Sequence, residues 1–409
     1  MTTTLEPLAQ QTAPPRRTPS VLLLGAVTAL PALSIDAYLP ALPVLARDLG
    51  TTPAAAQLTL TAVLLGIALG QLLGGALSDR LGRRLPLLTG LATFVAAAVL
   101  CAVAPTLPVL VGLRFVMGLG GGASVVVARA VVRDRADGAQ AARMFARLML
   151  VMGVVPVLAP VLGAQLLRVT SWRGVFAGLV LLGVALFAVV VRRLPETLES
   201  HQRADGTLLD TLRTFAGVLR DRAFVGYALA AALSSGAMFA YISASPFVLE
   251  DVKGLSPAAF SVVFATNAAG LIAASQLSAR LVGRTGPRPL LLVGLSMAAL
   301  AGVSLVVVAL ADAPLPLLLA GLFATLTSIG FIAPNATALA LQEHGAQAGT
   351  ASALIGLGQF VTGAIAAPLT GLVGAPGALP LAVVVAGFGV AALAASALTR
   401  PRRLALATA

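Results

Sequence analysis

Twelve apolar stretches, most of them 20 residues or longer, set the limits on what this chain can fold into. They run at about 20–44, 54–78, 85–104, 107–129, 142–168 and 172–193, then 223–246, 257–282, 287–311, 314–342, 346–372 and 377–399. Each is long enough to cross about 30 Å of hydrocarbon as a helix. A helix is the form expected, because an isolated strand would leave its backbone groups unpaired in lipid. With 58% hydrophobic and only 10% charged residues, the chain has too little polar surface to cover itself in water. The fold class expected is therefore an all-α membrane protein of twelve transmembrane helices. The apolar stretch starting near Ser20 outruns the core of a cleaved signal peptide, roughly 7–15 residues.

The charges that remain fix the orientation. A net charge of +12 could suggest nucleic acid, but the arginines cluster between apolar stretches, where Lys and Arg report topology instead. With both termini inside, only Arg47, Arg168, Arg173 and Lys253 fall on outer loops. Arg114 lies within a span, and the other basic residues sit in or beside inner segments. Both termini are expected in the cytoplasm.

Residues 77–91 read LSDRLGRRLPLLTGL and residues 277–295 read LSARLVGRTGPRPLLLVGL, so the loop after the second span has an echo after the eighth. Leu77, Ser78, Arg80 and Leu81 match Leu277, Ser278, Arg280 and Leu281 at a constant offset, which predicts two related halves. The expected organisation is a disordered tail at 1–19, a six-helix bundle at 20–193, a linker at 194–222, a second bundle at 223–399 and a tail at 400–409. Within the linker, Leu208, Leu209, Leu212, Phe215, Val218 and Leu219 recur at helical spacing, as an amphipathic helix on the membrane surface would.

Two ionisable residues stand inside spans, where a charge costs at least about 2.5–3.5 kcal/mol and usually faces a cavity or a partner. Asp36 lies toward the outer end of the first span. Arg114 lies in the fourth, about 10 Å deep at 1.5 Å per residue. Both are in the outer half, at depths where they could meet. Asp36 reads either as an interfacial capping residue or as a carboxyl that exchanges a proton with water. Arg114 reads either as half of a purely structural ion pair or as the positive charge that senses whether Asp36 is protonated or a substrate is bound. In the second half, Phe239, Tyr241, Asn267, Asn335 and Gln359 are packing residues individually, and together could form the far wall of an apolar pocket. On the inner face, Asp79 could accept hydrogen bonds from a helix N-terminus and pair with an arginine, with Arg133, Asp134 and Arg135 joining it as a latch. The fifth span, dense in Gly and Pro, reads as tight packing or as a bent helix where two halves rock.

These residues together resemble a known family. Gly75-x-x-x-Asp79-Arg80-x-Gly82-Arg83-Arg84 is similar to the loop signature of the major facilitator superfamily. Arg114-Phe115-x-x-Gly118-x-Gly120 resembles the fourth-span motif of its drug/proton antiporters, and Gly153-x-x-Pro156-x-x-x-Pro160-x-x-Gly163 their fifth-span motif. The stretches 36–43, 127–134 and 334–340 look like the bicyclomycin-resistance branch, which includes chloramphenicol and florfenicol exporters. The resemblance implies two six-helix bundles around a central cavity and export of small amphipathic drugs in exchange for protons. It implies Asp36 as proton carrier with Arg114 as partner, and a cytoplasmic gate of Gly75, Asp79, Arg80, Gly82 and Arg83. It also implies a rocking interface of Gly153, Pro156, Pro160 and Gly163. Tyr38, Met117, Phe239, Tyr241, Asn267, Asn335 and Gln359 are then expected to line the substrate cavity. Met117 stands where the family often has Gln, which favours an apolar cargo; Thr28 stands where some relatives carry a second acid, which suggests one proton per cycle.

The protein is expected to be a monomer in the cytoplasmic membrane, with membrane lipid, protons and a small-molecule drug as partners and no nucleic acid. No enzyme activity, metal or cofactor is implied beyond the proton gradient. There is no Gly-x-x-x-x-Gly-Lys-Ser/Thr motif, and the two histidines, His201 and His344, lie in polar connections. A proton-coupled importer of a small nutrient on the same fold is the alternative.

Overall fold

In the computed structural model, residues 21–135, 138–198, 203, 213, 215–342, 348–374 and 377–399 are described. The expected tails, and Leu208, Leu209 and Leu212 of the expected amphipathic helix, lie outside them. Phe215 and Val218 of that segment are helical and buried, whereas Leu219 is exposed.

The described residues contain twelve helices long and apolar enough to cross a membrane, and no strand. The first, α1, is broken into Val21–Asp36, a 3-10 turn at Leu39–Ala41 and Leu42–Asp48. There follow α2 (Pro53–Leu81), α3 (Arg84–Ala102), α4 (Leu107–Arg135), α5 (Gly138–Val169) and α6 (Trp172–Arg193). The second half holds α7 (Arg222–Pro246, continued by a π-helical turn Phe247–Val252), α8 (Pro257–Thr285), α9 (Pro287–Leu310), α10 (Leu315–Leu341), α11 (Ala348–Val373) and α12 (Ala378–Ala395). Side chains such as Leu22, Leu181, Leu300 and Leu372 are largely exposed on the outside of this array, as lipid-facing leucines are.

The packing repeats with an offset of six helices. In the first half α2 packs on α4, α3 on α4 and α6, and α1 on α4 and α5. In the second, α8 packs on α10, α9 on α10 and α12, and α7 on α10 and α11. Local details repeat as well. Thr52 and Ser256 cap α2 and α8, each hydroxyl accepting the N–H three residues on (3.2 Å in both), and each is followed by Pro at the first helical position. The turns after these helices pass through Gly82 (φ +92°) and Gly286 (φ +76°), conformations that suit glycine. The halves meet along α2 on α11 and α5 on α8, a pair of contacts that the same offset interchanges.

Small residues bring α2 and α4 together. A methyl at Gly66, Gly70, Gly118 or Gly122 would overlap a backbone carbonyl of the facing helix. Such close approach gives helices packing energy in lipid, where burial of apolar surface supplies no drive.

Val21, Thr399 and the α2–α3 loop lie at one end of the described residues, since an even number of spans returns the chain to its starting side. At the opposite end the bundles are joined. Arg47 at the end of α1 pairs with Asp251 at the end of α7 (2.6 Å). Gln57 of α2 donates to the Ser243 carbonyl (3.2 Å) and accepts from Thr370 of α11 (3.3 Å), while Thr61 donates to the Ala364 carbonyl (3.0 Å). Toward the terminus-bearing end, a cavity of about 330 Å³ separates α2 and α4 from α11.

Candidate functional site

Asp36 sits where α1 unwinds. Pro40 lacks an N–H, and in a continued helix its ring would collide with the carbonyl four residues back, which belongs to Asp36. The hydrogen bonding accordingly switches from Ala37 N–H on Leu33 (3.0 Å) to Tyr38 N–H on Ile35 (3.3 Å). The carboxylate is held at this break at 6% exposure, and no hydrogen bond or ion pair reaches it from any described residue. Across the seam, the 3-10 turn that follows Asp36 packs against α7, the helix that carries Tyr241. The Tyr241 hydroxyl accepts a hydrogen bond from Asn267 of α8 (2.8 Å), and its ring stacks on Phe264 (5.6 Å between centroids).

Arg114 is fully buried but does not pair with Asp36. Its Nη1 donates to the Ser34 carbonyl (3.0 Å), and the guanidinium lies over the rings of Tyr38 (4.7 Å) and Phe176 (5.7 Å). Nε and Nη2 have no partner. The expected ion pair is therefore replaced by a grip on the backbone two residues before the acid, leaving two buried donors unused. Tyr38 is held in turn: Thr59 donates to the Ala56 carbonyl (2.7 Å), so Tyr38 donates to Thr59 (3.3 Å).

The other residues expected in the substrate cavity separate. Tyr241 and Asn267 bond to each other, joining α7 to α8 (2.8 Å). Met117 is fully buried within the first bundle, and Asn335 spends its amide on Ser278 and the Phe331 carbonyl (both 2.7 Å), tying α8 to α10. Both are packing residues, a correction to the sequence expectation. Phe239 packs on Phe360 (6.2 Å), and Gln359 is partly exposed on α11. None of the seven lines the 330 Å³ cavity, which is walled instead by residues such as Gln71, Arg129, Phe145 and Ser352.

The loop signature forms a network inside the first bundle. Arg83 pairs with Asp79 one turn back, and its Nε donates to Asp134 (2.8 Å). Burial would weaken the charge of Arg83, but the bonds to Asp134 and Asp79 outweigh that and raise its pKa. Among the described residues, Asp79 pairs with Arg83 and contacts no helix N-terminus of the second bundle, so no inner latch joins the described parts of the two bundles. Arg80 is exposed, Arg133 makes no ion pair with a described residue, and Arg135 donates to the Glu196 carbonyl (3.2 Å). The close approach here belongs to Gly74, where a methyl would meet Ala123 Cα at 2.6 Å; at Gly75 the nearest atom is 3.6 Å away.

Sequence reasoning missed Glu196. Its carboxylate accepts the N–H groups of Arg83 (2.8 Å), Arg84 (3.1 Å), Thr197 (2.8 Å) and Leu198 (3.0 Å), capping α3 from the far end of the bundle. A methyl on Gly82 would come within 2.5 Å of it, a second reason for glycine there. The signal was the lone acid in Leu194-Pro195-Glu196-Thr197, directly after two arginines. Partial burial pushes the Glu196 carboxyl up, but the four backbone donors win and hold it below the usual glutamate range. A depressed folded value means this contribution is present at neutral pH and lost as pH falls through that value. Glu196→Gln should lower stability by about 1 kcal/mol at pH 7, allowing for its exposure. Thermal unfolding at pH 7 and pH 4 should show the gap between variant and parent closing at the lower pH.

Of the fifth-span residues, Gly153 and Pro160 face α8 of the second bundle, whereas Gly163 packs on α1 of its own. A methyl at Gly163 would overlap the Ala37 carbonyl beside Asp36, and one at Gly153 would lie 3.9 Å from Ile272 of α8. The Pro160 carbonyl oxygen lies 3.0 Å from the Ser261 hydroxyl of α8.

Comparison with known proteins agrees with this architecture. A profile of the Major Facilitator Superfamily matches residues 24–368. An uncharacterised MFS-type transporter, YdgK of Bacillus subtilis, is 34% identical over 86% of this chain and 88% of its own. A bicyclomycin resistance protein homolog of Haemophilus influenzae is 30% identical, covering 84% and 87%. The multidrug resistance protein MdtL of Escherichia coli is 28% identical, covering 80% and 81%. Among solved structures, the nucleoside transporter NupG superposes with a TM-score of 0.75 at 12% identity, covering 93% of this chain and 99% of its own. A D-xylose-proton symporter does so with 0.70 at 16%, covering 91% and 96%.

Proposed function

The chain belongs to the Major Facilitator Superfamily, and on that premise we propose that it is a proton-coupled antiporter that exports small amphipathic drugs, of phenicol or bicyclomycin type, by alternating access. It resides in the cytoplasmic membrane as a monomer. The arginine-rich, terminus-bearing end faces the cytoplasm, because positive loops are retained inside. The observation that carries the reading is Asp36: a buried acid without a partner among the described residues, at a helix break on the seam between the two halves. The names of the Haemophilus and Escherichia relatives support drug efflux as the cargo class.

In this reading the structure corresponds to a carrier joined at its outer end and parted toward the cytoplasm. Cargo enters the parted side as Asp36 releases its proton. The carboxylate then has two unused Arg114 donors within the same bundle to turn toward. The halves rock along α5–α8 and α2–α11 and open outward. Reprotonation of Asp36 from outside frees the guanidinium and discharges the cargo. Each charge moved across 100 mV contributes about 2.3 kcal/mol.

The Arg47–Asp251 pair should act as an outer clasp. Breaking it by Asp251→Arg is expected to cost about 0.2–1 kcal/mol, enough to shift the carrier outward by up to about fivefold. A cysteine pair labelled from the outside would report the shift, and Arg47→Asp on top of it should restore the parental labelling. The transport reading is tested with everted vesicles and chloramphenicol. Uptake driven by an acid interior, together with resistance in a pump-deficient host, is the expected result. Movement of cargo along with protons would make the protein an importer.

A further inference from the structure

The cavity of about 330 Å³ between α2, α4 and α11 carries two guanidiniums, Arg129 and Arg133, one turn apart on α4. Neither forms a hydrogen bond or ion pair with any described residue. Arg129 is partly buried and Arg133 is exposed; like charges at this spacing repel, and a partly buried guanidinium such as Arg129 with nothing to bind is costly. The neighbouring basic groups are engaged elsewhere: Arg83 by Asp79 and Asp134, Arg114 by the Ser34 carbonyl, Arg135 by the Glu196 carbonyl. No acidic residue stands among the described residues lining the cavity. Asp79 and Asp134, the acids of the adjoining network, are both occupied by Arg83.

A second feature adds the same sign. The first turn of α11 opens onto the cavity at Gly349, and the Arg133 Nη1 lies 3.7 Å from where a Gly349 Cβ would stand. A helix N-terminus carries partial positive charge and free N–H donors. Gln71 and Ser352 supply neutral polar groups, and Leu72, Val126, Phe145 and Leu357 supply an apolar wall.

We propose that this cavity is an anion subsite of the transport pathway, which adds to the uncharged phenicol- and bicyclomycin-type cargo small amphipaths whose head is an oxygen-bearing anion (carboxylate, sulfonate or phosphate), and which disfavours cations. The proposal rests on the exporter reading for the word transport, but the binding preference is independent of proton coupling. Two planar guanidiniums offer paired donors that match such a head, and the apolar wall takes a ring or short chain. Export of a monoanion against an entering proton also moves both charges in the direction the membrane potential favours.

The test is equilibrium dialysis of the full chain in an uncharged detergent, with no pH gradient, against 1-naphthoate, 1-naphthamide and 1-naphthylmethylammonium. The parent should bind 1-naphthoate at least about tenfold more tightly than the amide, and the ammonium least. Arg129→Gln should lose that tenfold advantage while binding the amide as before, and Arg129→Lys should keep part of it. Equal or tighter binding of the ammonium by the parent, a ranking that needs no variant, would overturn the proposal. So would a folded Arg129→Gln protein whose 1-naphthoate affinity stays within about twofold of the parent. Displacement of 1-naphthoate by phosphatidylglycerol, but not phosphatidylcholine, supports an anionic head arriving from the bilayer. Displacement by inorganic phosphate supports one arriving from water. A retained anion preference without proton-driven export would remove the exporter reading and leave the site; export without the preference would do the reverse.

Discussion

Asp36→Asn should abolish export driven by a pH gradient while leaving expression and cargo binding intact. The substitution keeps the shape of the side chain and removes only its titratable proton. Because no described residue donates to or pairs with the carboxylate, losing its charge leaves no partner stranded. The helix break survives too, since it is imposed by Pro40. The consequence is a split between two assays. Exchange of labelled for unlabelled chloramphenicol across a proteoliposome, which needs only the rocking motion, should continue at the parental rate. Accumulation against a gradient should fall to the level of protein-free vesicles. Asp36→Glu should lie between, with a proton carrier one methylene longer at a site built for the shorter side chain. Undiminished uphill transport by the asparagine variant would remove Asp36 from the coupling step.

Gly118→Ala should be among the most damaging single methyls on the α2–α4 interface. Alanine ordinarily helps a helix by about 1 kcal/mol over glycine. At position 118 the added Cβ would overlap the Val63 carbonyl oxygen and crowd Ile67 N (3.0 Å), all of it backbone that cannot rotate away. Separating α2 from α4 to make room would also disturb the reciprocal contacts at Gly66, Gly70 and Gly122. The expected cost is about 3 kcal/mol, the upper part of the usual range for overpacking. Gly112, on the same helix, has no atom within 4 Å of an added Cβ. Gly112→Ala should therefore be neutral or stabilising by up to about 1 kcal/mol. Unfolding midpoints in one detergent should place the two variants on opposite sides of the parent.

Helix count, order and the repeat of halves were legible because lipid imposes a length and a polarity that a sequence must meet in plain view. The ends were less so. Counting apolar residues stops the fourth span near 129, whereas α4 runs on to Arg135 through arginines that stand on the cavity and the adjoining network. Asp36 and Arg114 were conspicuous because charges are rare inside spans. That both lie in the outer half said nothing of direction, and the guanidinium turned to a carbonyl and two rings instead of the acid. Met117 and Asn335 were misassigned for a related reason. In lipid, a helix has no polar face to tell bundle interior from cavity wall, so polarity and motif position alone could not separate them. Glu196 escaped because its significance lies in contacts with residues more than 100 positions away. Arg129 was noted only as part of the 127–134 stretch; what distinguishes it is that no described residue beside it is an acid, which no spacing reveals.

Proton exchange at Asp36 against cargo is the centre of this account, and proton release on cargo binding measures it with the fewest intermediates. In weakly buffered detergent near neutral pH, adding chloramphenicol to the purified protein should release about one proton per bound molecule, seen with a pH indicator. The Asp36→Asn protein should bind chloramphenicol and release none. Binding by the parent without release, or the same release from both proteins, would contradict it.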